Sequence, residues 1–331
     1  MPYLHPDDVD TIVIDFTSHC NSMCGNCSRN LGGVTVNPRM PLEHMTLDTW
    51  RNIFTPDLKI KEVIFNGSYG DPIFNPNLIP ALEHLAGYKN PPVVVIHTNG
   101  GLGTQWAELA NVLQPFPFGS HVTFSIDGLE DTNHLYRRGV IWDKVMSNAS
   151  TFIKAGGMAR WRMLVFEHNA HQIEQCEQLS IDMGFKRFEI NGGHTFSAIN
   201  SLTNKAIESF KANKKESARK IKYDSKHLDN VERIKNITDF SKTTIKCKWQ
   251  TKRKIQISHM GEVFPCCYFL SDRYPRNPDS PYAVDVASID WLSVNDYSLE
   301  EILNSEWFNK YLPESWNNEN RYDICSKTCG V

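Results

Sequence analysis

Residues 15–30 read DFTSHCNSMCGNCSRN, so that Cys20, Cys24 and Cys27 stand at C-x3-C-x2-C spacing directly after the apolar run TIVIDF, residues 11–16. Three thiolates this close can hold three corners of a 4Fe-4S cube and leave its fourth iron open, whereas structural zinc is usually closed by four ligands. An open iron is a reactive iron. The competing readings are a zinc site with a fourth ligand elsewhere in the chain, or three unrelated core cysteines.

Working outward from this run, apolar strands alternate with amphipathic helical stretches. TIVIDF is followed by EVIFNG (62–67), VVVIHTNG (93–100), HVTFSIDG (121–128), ARWRMLVFEHN (159–169) and FKRFEING (185–192). Continuous β-branched and aromatic runs suit strands buried on both faces. Between them lie LDTWRNIF, NLIPALEHLAGY, WAELANVL, WDKVMSNASTFIKAG and IEQCEQLSIDMG, several with glycine just past the end. Six such units predict an α/β fold, a partial (β/α)6 TIM-like barrel, whose site lies in the loops at the C-terminal strand ends. Polar and glycine residues gather at those ends.

The strand ends and the cysteine run together resemble the radical S-adenosylmethionine (radical SAM) superfamily. After the second strand, Gly70, Asp71 and Pro72 match the end of that family's GGEP motif, with Asp71 in place of the usual Glu. Thr98, Asn99 and Gly100 match its TNG. Ser125, Asp127 and Gly128 match its S-x-D-G, and Arg138 with Gly139 its downstream Arg-Gly. The resemblance implies that Cys20, Cys24 and Cys27 hold the catalytic cluster and that Gly70, Asp71, Asn99, Ser125, Asp127 and Arg138 contact SAM. It further implies reductive cleavage of SAM to a 5'-deoxyadenosyl radical that abstracts a substrate hydrogen. Hydroxyl and guanidinium groups suit the SAM carboxylate, which takes charge-assisted hydrogen bonds. One departure is Asn26, where the family usually has an aromatic residue that packs on adenine.

A second cysteine constellation follows residue 245. Cys247, the strand IQIS, Gly261 and VFPCC with Cys266 and Cys267 read as a strand-turn-strand unit. SLEEILNSEWFNKYLPESW reads as one amphipathic helix, and the chain closes with Cys325 and Cys329. This small Cys-rich unit of hairpin plus helix resembles the SPASM or twitch domain that follows the barrel in many radical SAM enzymes. The resemblance implies an auxiliary 4Fe-4S cluster on Cys247, Cys266, Cys325 and Cys329, with Cys267 a spare or alternative ligand. The same four thiolates would also suit structural zinc. Cys176, alone on a helix, reads as a core residue.

The expected organisation is a barrel over 1–199, a polar, basic, largely helical connection over 200–246, and the auxiliary domain over 247–331. Gly192, Gly193 and His194 fall where a substrate loop belongs, and Lys205, Lys211, Lys214, Lys215, Arg219, Lys220 and Lys222 make a basic stretch that reads as a solvated face. No apolar run reaches the ~20 residues that span a bilayer, the start is acidic rather than signal-like, and the clustered cysteines favour metal over disulfides, so the cytoplasm is the expected location. A net charge of −3 points to neither nucleic acid nor membrane.

The expected partners are SAM, an electron donor such as flavodoxin or ferredoxin, and an unidentified substrate. With the first strand near residue 11 and Cys329 close to the end of the sequence, no leader-peptide-binding domain is expected. The substrate expected is therefore a small polar molecule, oxidised or remodelled, with peptide or protein modification as the alternative. A non-catalytic metal-binding interaction module is the reading of another class.

Overall fold

The computed structural model describes residues 3–192, 222–223, 243–276, 286–317 and 321–331. Gly193, His194 and the basic stretch from Lys205 to Lys220 lie outside the described residues. Six parallel strands, β1 (Thr11–Ile14), β2 (Glu62–Phe65), β3 (Val93–Thr98), β4 (His121–Ser125), β5 (Ala159–Val165) and β6 (Arg187–Gly192), pair in sequence order. A two-residue strand, β7 (Lys222–Tyr223), extends the sheet beyond β6. The helices between the first six strands are α1 (Leu47–Ile53), α2 (Leu78–Ala86), α3 (Trp106–Val112), α4 (Glu130–Tyr136), α5 (Trp142–Lys154) and α6 (Ile173–Asp182). This is the predicted α/β arrangement. α5 shows why: Val145, Ala149 and Phe152 fall one turn apart and are buried, which fixes its inner face on the sheet.

The strands are not equally buried. All four residues of β1 are buried, as a two-sided strand requires. β5 alternates instead: Ala159, Trp161, Met163 and Val165 are buried, while Arg160, Arg162 and Leu164 are only partly so. Their period of two places the arginines together on the other face of the sheet, the inside of the partial barrel.

The C-terminal region joins the barrel in a way its own sequence does not announce. The predicted hairpin forms from β8 (Lys254–Ile257) and β9 (Val263–Phe264), antiparallel to each other, but β8 also pairs in parallel with β1 from Thr11 opposite Lys254 to Ile14 opposite Ile257. The mainly parallel sheet thus continues into residues 247–331. After β9 comes α7 (Cys267–Arg273). The single helix expected across SLEEILNSEWFNKYLPESW is instead three pieces: α8 (Leu299–Leu303), a π-type turn over Trp307–Tyr311, and a short helix Leu312–Ser315. Ser298 and Glu301 cap α8 reciprocally, and Pro313 lacks the N–H that a continuous helix needs. α9 (Asp323–Cys329) ends the chain. Among the described residues no helix is long and apolar enough to cross a membrane.

Aromatic packing fixes the first two strand ends. Phe16 meets Phe65 edge-on at 5.3 Å, and Trp50 of α1 stacks on Phe65 at 5.5 Å. All three rings are buried. Such pairs add about 1 kcal/mol each beyond burial, and here they anchor the loops that carry Cys20 and Gly70.

Candidate active site

Cys20, Cys24 and Cys27 line a cavity of about 380 Å³ at the C-terminal ends of the strands. The cysteine loop is held from several sides. Arg29 Nε donates to the Ser18 carbonyl at 2.8 Å, Asn30 Nδ2 donates to the Cys24 carbonyl at 3.2 Å, and the Ser22 amide donates to Cys20 Sγ at 3.3 Å. Burial raises all three thiols, Cys20 to about 12 and Cys27 to about 11. Without a metal they stay protonated; bound iron would make them thiolates, because a coordinated thiol is deprotonated outright. The donor set therefore fits an iron–sulfur cluster.

The loop after β2 packs directly on the cysteine loop. A Cβ at Gly70 would lie 2.2 Å from the Thr17 carbonyl oxygen and 2.8 Å from that of His19, so only glycine permits this approach. Asp71 is buried and heavily engaged: it accepts from Thr98 Oγ1 at 2.9 Å, the Asn99 amide at 2.7 Å and the Ile73 amide at 3.2 Å. Asn99 donates from Nδ2 to Asn21 Oδ1 at 2.9 Å and to Cys20 Sγ at 3.5 Å. Gly70, Asp71, Asn99 and Ser125 all face the cavity.

Asp127 and Arg138 do not line it. Asp127 is fully buried behind the wall, where it accepts from the Leu164 amide at 2.7 Å and pairs with Arg137 Nε at 2.8 Å. Arg138 is exposed, and its Nη1 donates to the Gly33 carbonyl at 3.3 Å. Of these two neighbouring arginines, Arg137 is the one that lines the cavity. Burial opposes its charge, but the paired carboxylate of Asp127 outweighs that and keeps it protonated. The Arg-Gly match names Arg138, whereas the residue that lines the cavity is Arg137, because that depends on how the chain turns after α4, where Arg137 is the C-cap residue.

Several site residues carried no motif. Asp15, at the end of β1, accepts from the Ser68 amide at 2.9 Å and the Tyr69 amide at 3.3 Å. Tyr69 then donates its hydroxyl to the Leu270 carbonyl of α7, which ties the β2 loop to the C-terminal region. His97 and Arg162 line the cavity from β3 and β5, and Cys267, Ser271 and Asp272 of α7 line it from the C-terminal region. The alternation of ARWRMLV was the one available signal for Arg162.

The remaining cysteines form a separate group. Cys247, Cys266, Cys325 and Cys329 line a second, apolar cavity with Tyr3, Trp249, Phe269 and Trp316. It encloses about 20 Å³, so a cube would have to part the four thiols. Backbone N–H groups point at two of the sulfurs: Lys248 to Cys329 and Gln250 to Cys247, each at 3.5 Å. Tyr3 seals the group and donates to the Pro265 carbonyl at 2.6 Å. Cys267 belongs to the first cavity, not this one, and Cys176 is buried in the core. Among the described residues no three Cys, His, Asp or Glu side chains converge as they would around one metal ion, the arrangement a zinc site needs.

Residues 247–330 match the SPASM family of iron–sulfur cluster-binding domains. The whole fold is similar to SuiB of Streptococcus suis bound to S-adenosylmethionine, at 17% identity and a TM-score of 0.61, over 91% of this chain and 65% of that one. The chain shares the fold of this S-adenosylmethionine-bound structure, and its residues 247–330 match the SPASM domain. It is also similar to SuiB bound to its precursor peptide SuiA, at 17% identity and a TM-score of 0.61, over 94% of this chain and 66% of that one. Native anSMEcpe with bound AdoMet matches at 17% identity and a TM-score of 0.56, over 97% of this chain and 89% of that one. No curated protein matches by sequence. The chain spans 65% of the length of SuiB, less than two-thirds. The first cavity lies at the C-terminal strand ends of this shared fold, and α7, within the residues that match the SPASM domain, forms one of its walls.

Proposed function

We propose that this protein is a radical SAM enzyme in which Cys20, Cys24 and Cys27 hold the SAM-binding 4Fe-4S cluster and Cys247, Cys266, Cys325 and Cys329 hold an auxiliary one. The observation that carries the reading is the meeting in one cavity of the three cysteines, the strand-end residues Asp71, Asn99 and Ser125, and the SPASM helix α7. Cluster and SAM together would supply one-electron chemistry that removes a hydrogen atom from an unactivated carbon.

The chain's own residues do the rest. Arg137, held by Asp127, presents a fixed cation beside Cys24 and suits the SAM carboxylate. The Asn99 amide group steadies the cysteine loop through Asn21 and Cys20. Tyr136 and Phe166, paired at 4.6 Å and both facing the cavity, offer the flat apolar surface that Asn26 does not. α7 covers the mouth and keeps water from a reactive centre. Asp272, raised by burial to about 6, is a carboxyl on that cover able to take a substrate proton near neutral pH. This arrangement supports net oxidation or remodelling of a small polar molecule, with a flavodoxin- or ferredoxin-like donor supplying electrons.

Peptide modification is the second reading, favoured by the similarity to SuiB bound to its precursor peptide. The test is anaerobic reconstitution with iron and sulfide, an iron count and an assay for 5'-deoxyadenosine under dithionite. About eight irons with release of 5'-deoxyadenosine are expected for two cubes. About four irons with release would leave the SPASM cysteines without a cluster, and no iron with no release would overturn the reading. A SAM-dependent mass change in a candidate peptide would move the substrate to the second reading.

A further inference from the structure

Among the described residues, the inner face of the barrel carries more positive charge than its carboxylates neutralise. Register places Arg160 beside Arg187 and Arg162 beside Glu189. The single carboxylate of Glu189 serves all three arginines: Oε1 lies 3.0 Å from Arg187 Nε and 3.9 Å from Arg160 Nη1, and Oε2 lies 3.1 Å from Arg162 Nη2. Three guanidiniums against one carboxylate leave two positive charges over. No other carboxylate among the described residues pairs with them. The like charges register on Arg160, which burial and then its arginine neighbours pull down despite Glu189.

Two histidines face this group and add no charge. Burial, then Arg162, lowers His97 to about 3, and burial chiefly lowers His121. Neutral His97 has its Nδ1 3.1 Å from Arg162 Nη1 and accepts that hydrogen bond. Arg162 has five N–H donors; Glu189 takes two and His97 one, which leaves two. Arg162 and His97 line the cavity that holds the three cluster cysteines, and Arg160, Arg162 and Arg187 keep a quarter to a third of their side-chain surface open. Partly enclosed cations without counter-charge are costly, and an anionic ligand relieves that cost.

The other cavity-facing cation behaves differently. Arg137 is paired with its own carboxylate, Asp127, on the loop after β4, whereas Arg162 on β5 shares Glu189 and bonds to His97 of β3. The two cations therefore serve different parts of the cavity.

We propose that Arg162, backed by Arg160 and Arg187, is an anion subsite on the barrel floor that takes a carboxylate or phosphate group of the substrate. The proposal deepens the radical SAM reading and rests on it for the word substrate. The same chemistry would fit the methionyl carboxylate of SAM, and the experiment separates the two sources.

Inorganic phosphate is the probe. Its binding to the anaerobically reconstituted full chain is measured by titration calorimetry at low salt, beside SAM binding, for the parent, Arg162→Gln and Arg187→Gln, with thermal unfolding to check that each variant folds. The expected result is phosphate binding weakened about tenfold in Arg162→Gln, the size of one charge-assisted hydrogen bond, and less in Arg187→Gln, while SAM affinity changes less than about twofold. Arg162→Lys should recover part of the phosphate binding. A parallel loss of SAM affinity in Arg162→Gln would hand the subsite to SAM and overturn the proposal, as would a parent that binds no phosphate or folded variants that bind it undiminished. If the parent binds phosphate through Arg162 but neither binds nor cleaves SAM, the radical SAM reading fails while the anion site stands.

Discussion

Cys266 and Cys267 are consecutive, yet Cys266 lines the pocket of the SPASM cysteines and Cys267 lines the barrel cavity with Cys20, Cys24 and Cys27. Cys266 is the N-cap of α7 and Cys267 its first residue, so the chain changes direction between them and sends the two thiols to different sites. Cys266→Ser should lower reconstituted iron by about four atoms per chain, one cube. Cys267→Ser should leave the iron count unchanged. Equal loss in both variants would show that the wall between the two cavities is not where the structure places it.

The two cysteine groups should separate by function. Cys24→Ala is expected to abolish release of 5'-deoxyadenosine from SAM, whereas Cys325→Ala keeps measurable release and loses substrate turnover. Parent-like SAM cleavage in both variants would contradict this division.

The neighbouring arginines after α4 make a sharp comparison. Arg137 faces the cavity and is paired with buried Asp127; Arg138 is exposed. Arg137→Gln should weaken SAM binding by about tenfold or more, the value of a lost charge-assisted contact. Arg138→Gln should change it by less than about twofold. Equilibrium binding of SAM to reconstituted protein decides between them, and the reverse order would place the SAM carboxylate elsewhere.

Asp15 offers a test of how the β2 loop is held. Its Oδ1 accepts two loop amides, while burial raises the carboxyl to about 7 and Oδ2 has no partner. Asp15→Ala leaves the buried Tyr69 N–H and the partly buried Ser68 N–H without this acceptor and should cost about 2 kcal/mol. Asp15→Asn can keep the acceptor without the charge, so at pH 8 it should cost less than the alanine change. Denaturant unfolding of the metal-free chain measures both.

The contribution of two buried histidines to the stability of the metal-free chain should fall on the acid side. Burial holds His97 at about 3 and His259 at about 4, whereas both titrate near 6.5 when unfolded. The unfolded state therefore binds more protons as pH drops, and the stability these rings contribute is present above about 6.5 and lost towards pH 4. Asp15 acts in the opposite sense. Its folded value lies above its unfolded one, so its contribution is present below about 4 and lost as pH rises through 7. His259→Gln should flatten the acid limb, and Asp15→Asn should steepen it. Unfolding midpoints between pH 4 and 8 check both slopes.

Local chemistry was legible in the chain. The C-x3-C-x2-C run, the apolar strands and the Gly-Asp-Pro and Thr-Asn-Gly strand ends are written in adjacent residues, because a turn, a strand or a three-thiol loop is specified over a few positions. From them followed the barrel and the place of its site. The remaining features depend on pairing across long separations. β8 joins β1 from more than two hundred residues away, Tyr69 reaches Leu270, and Glu189 gathers three arginines from two strands. Arg137 rather than Arg138, and Cys266 apart from Cys267, turn on a shift of one residue, which at a helix end or strand redirects a side chain altogether. Such directions are set by the packing of distant elements, and that packing exists only in the folded chain.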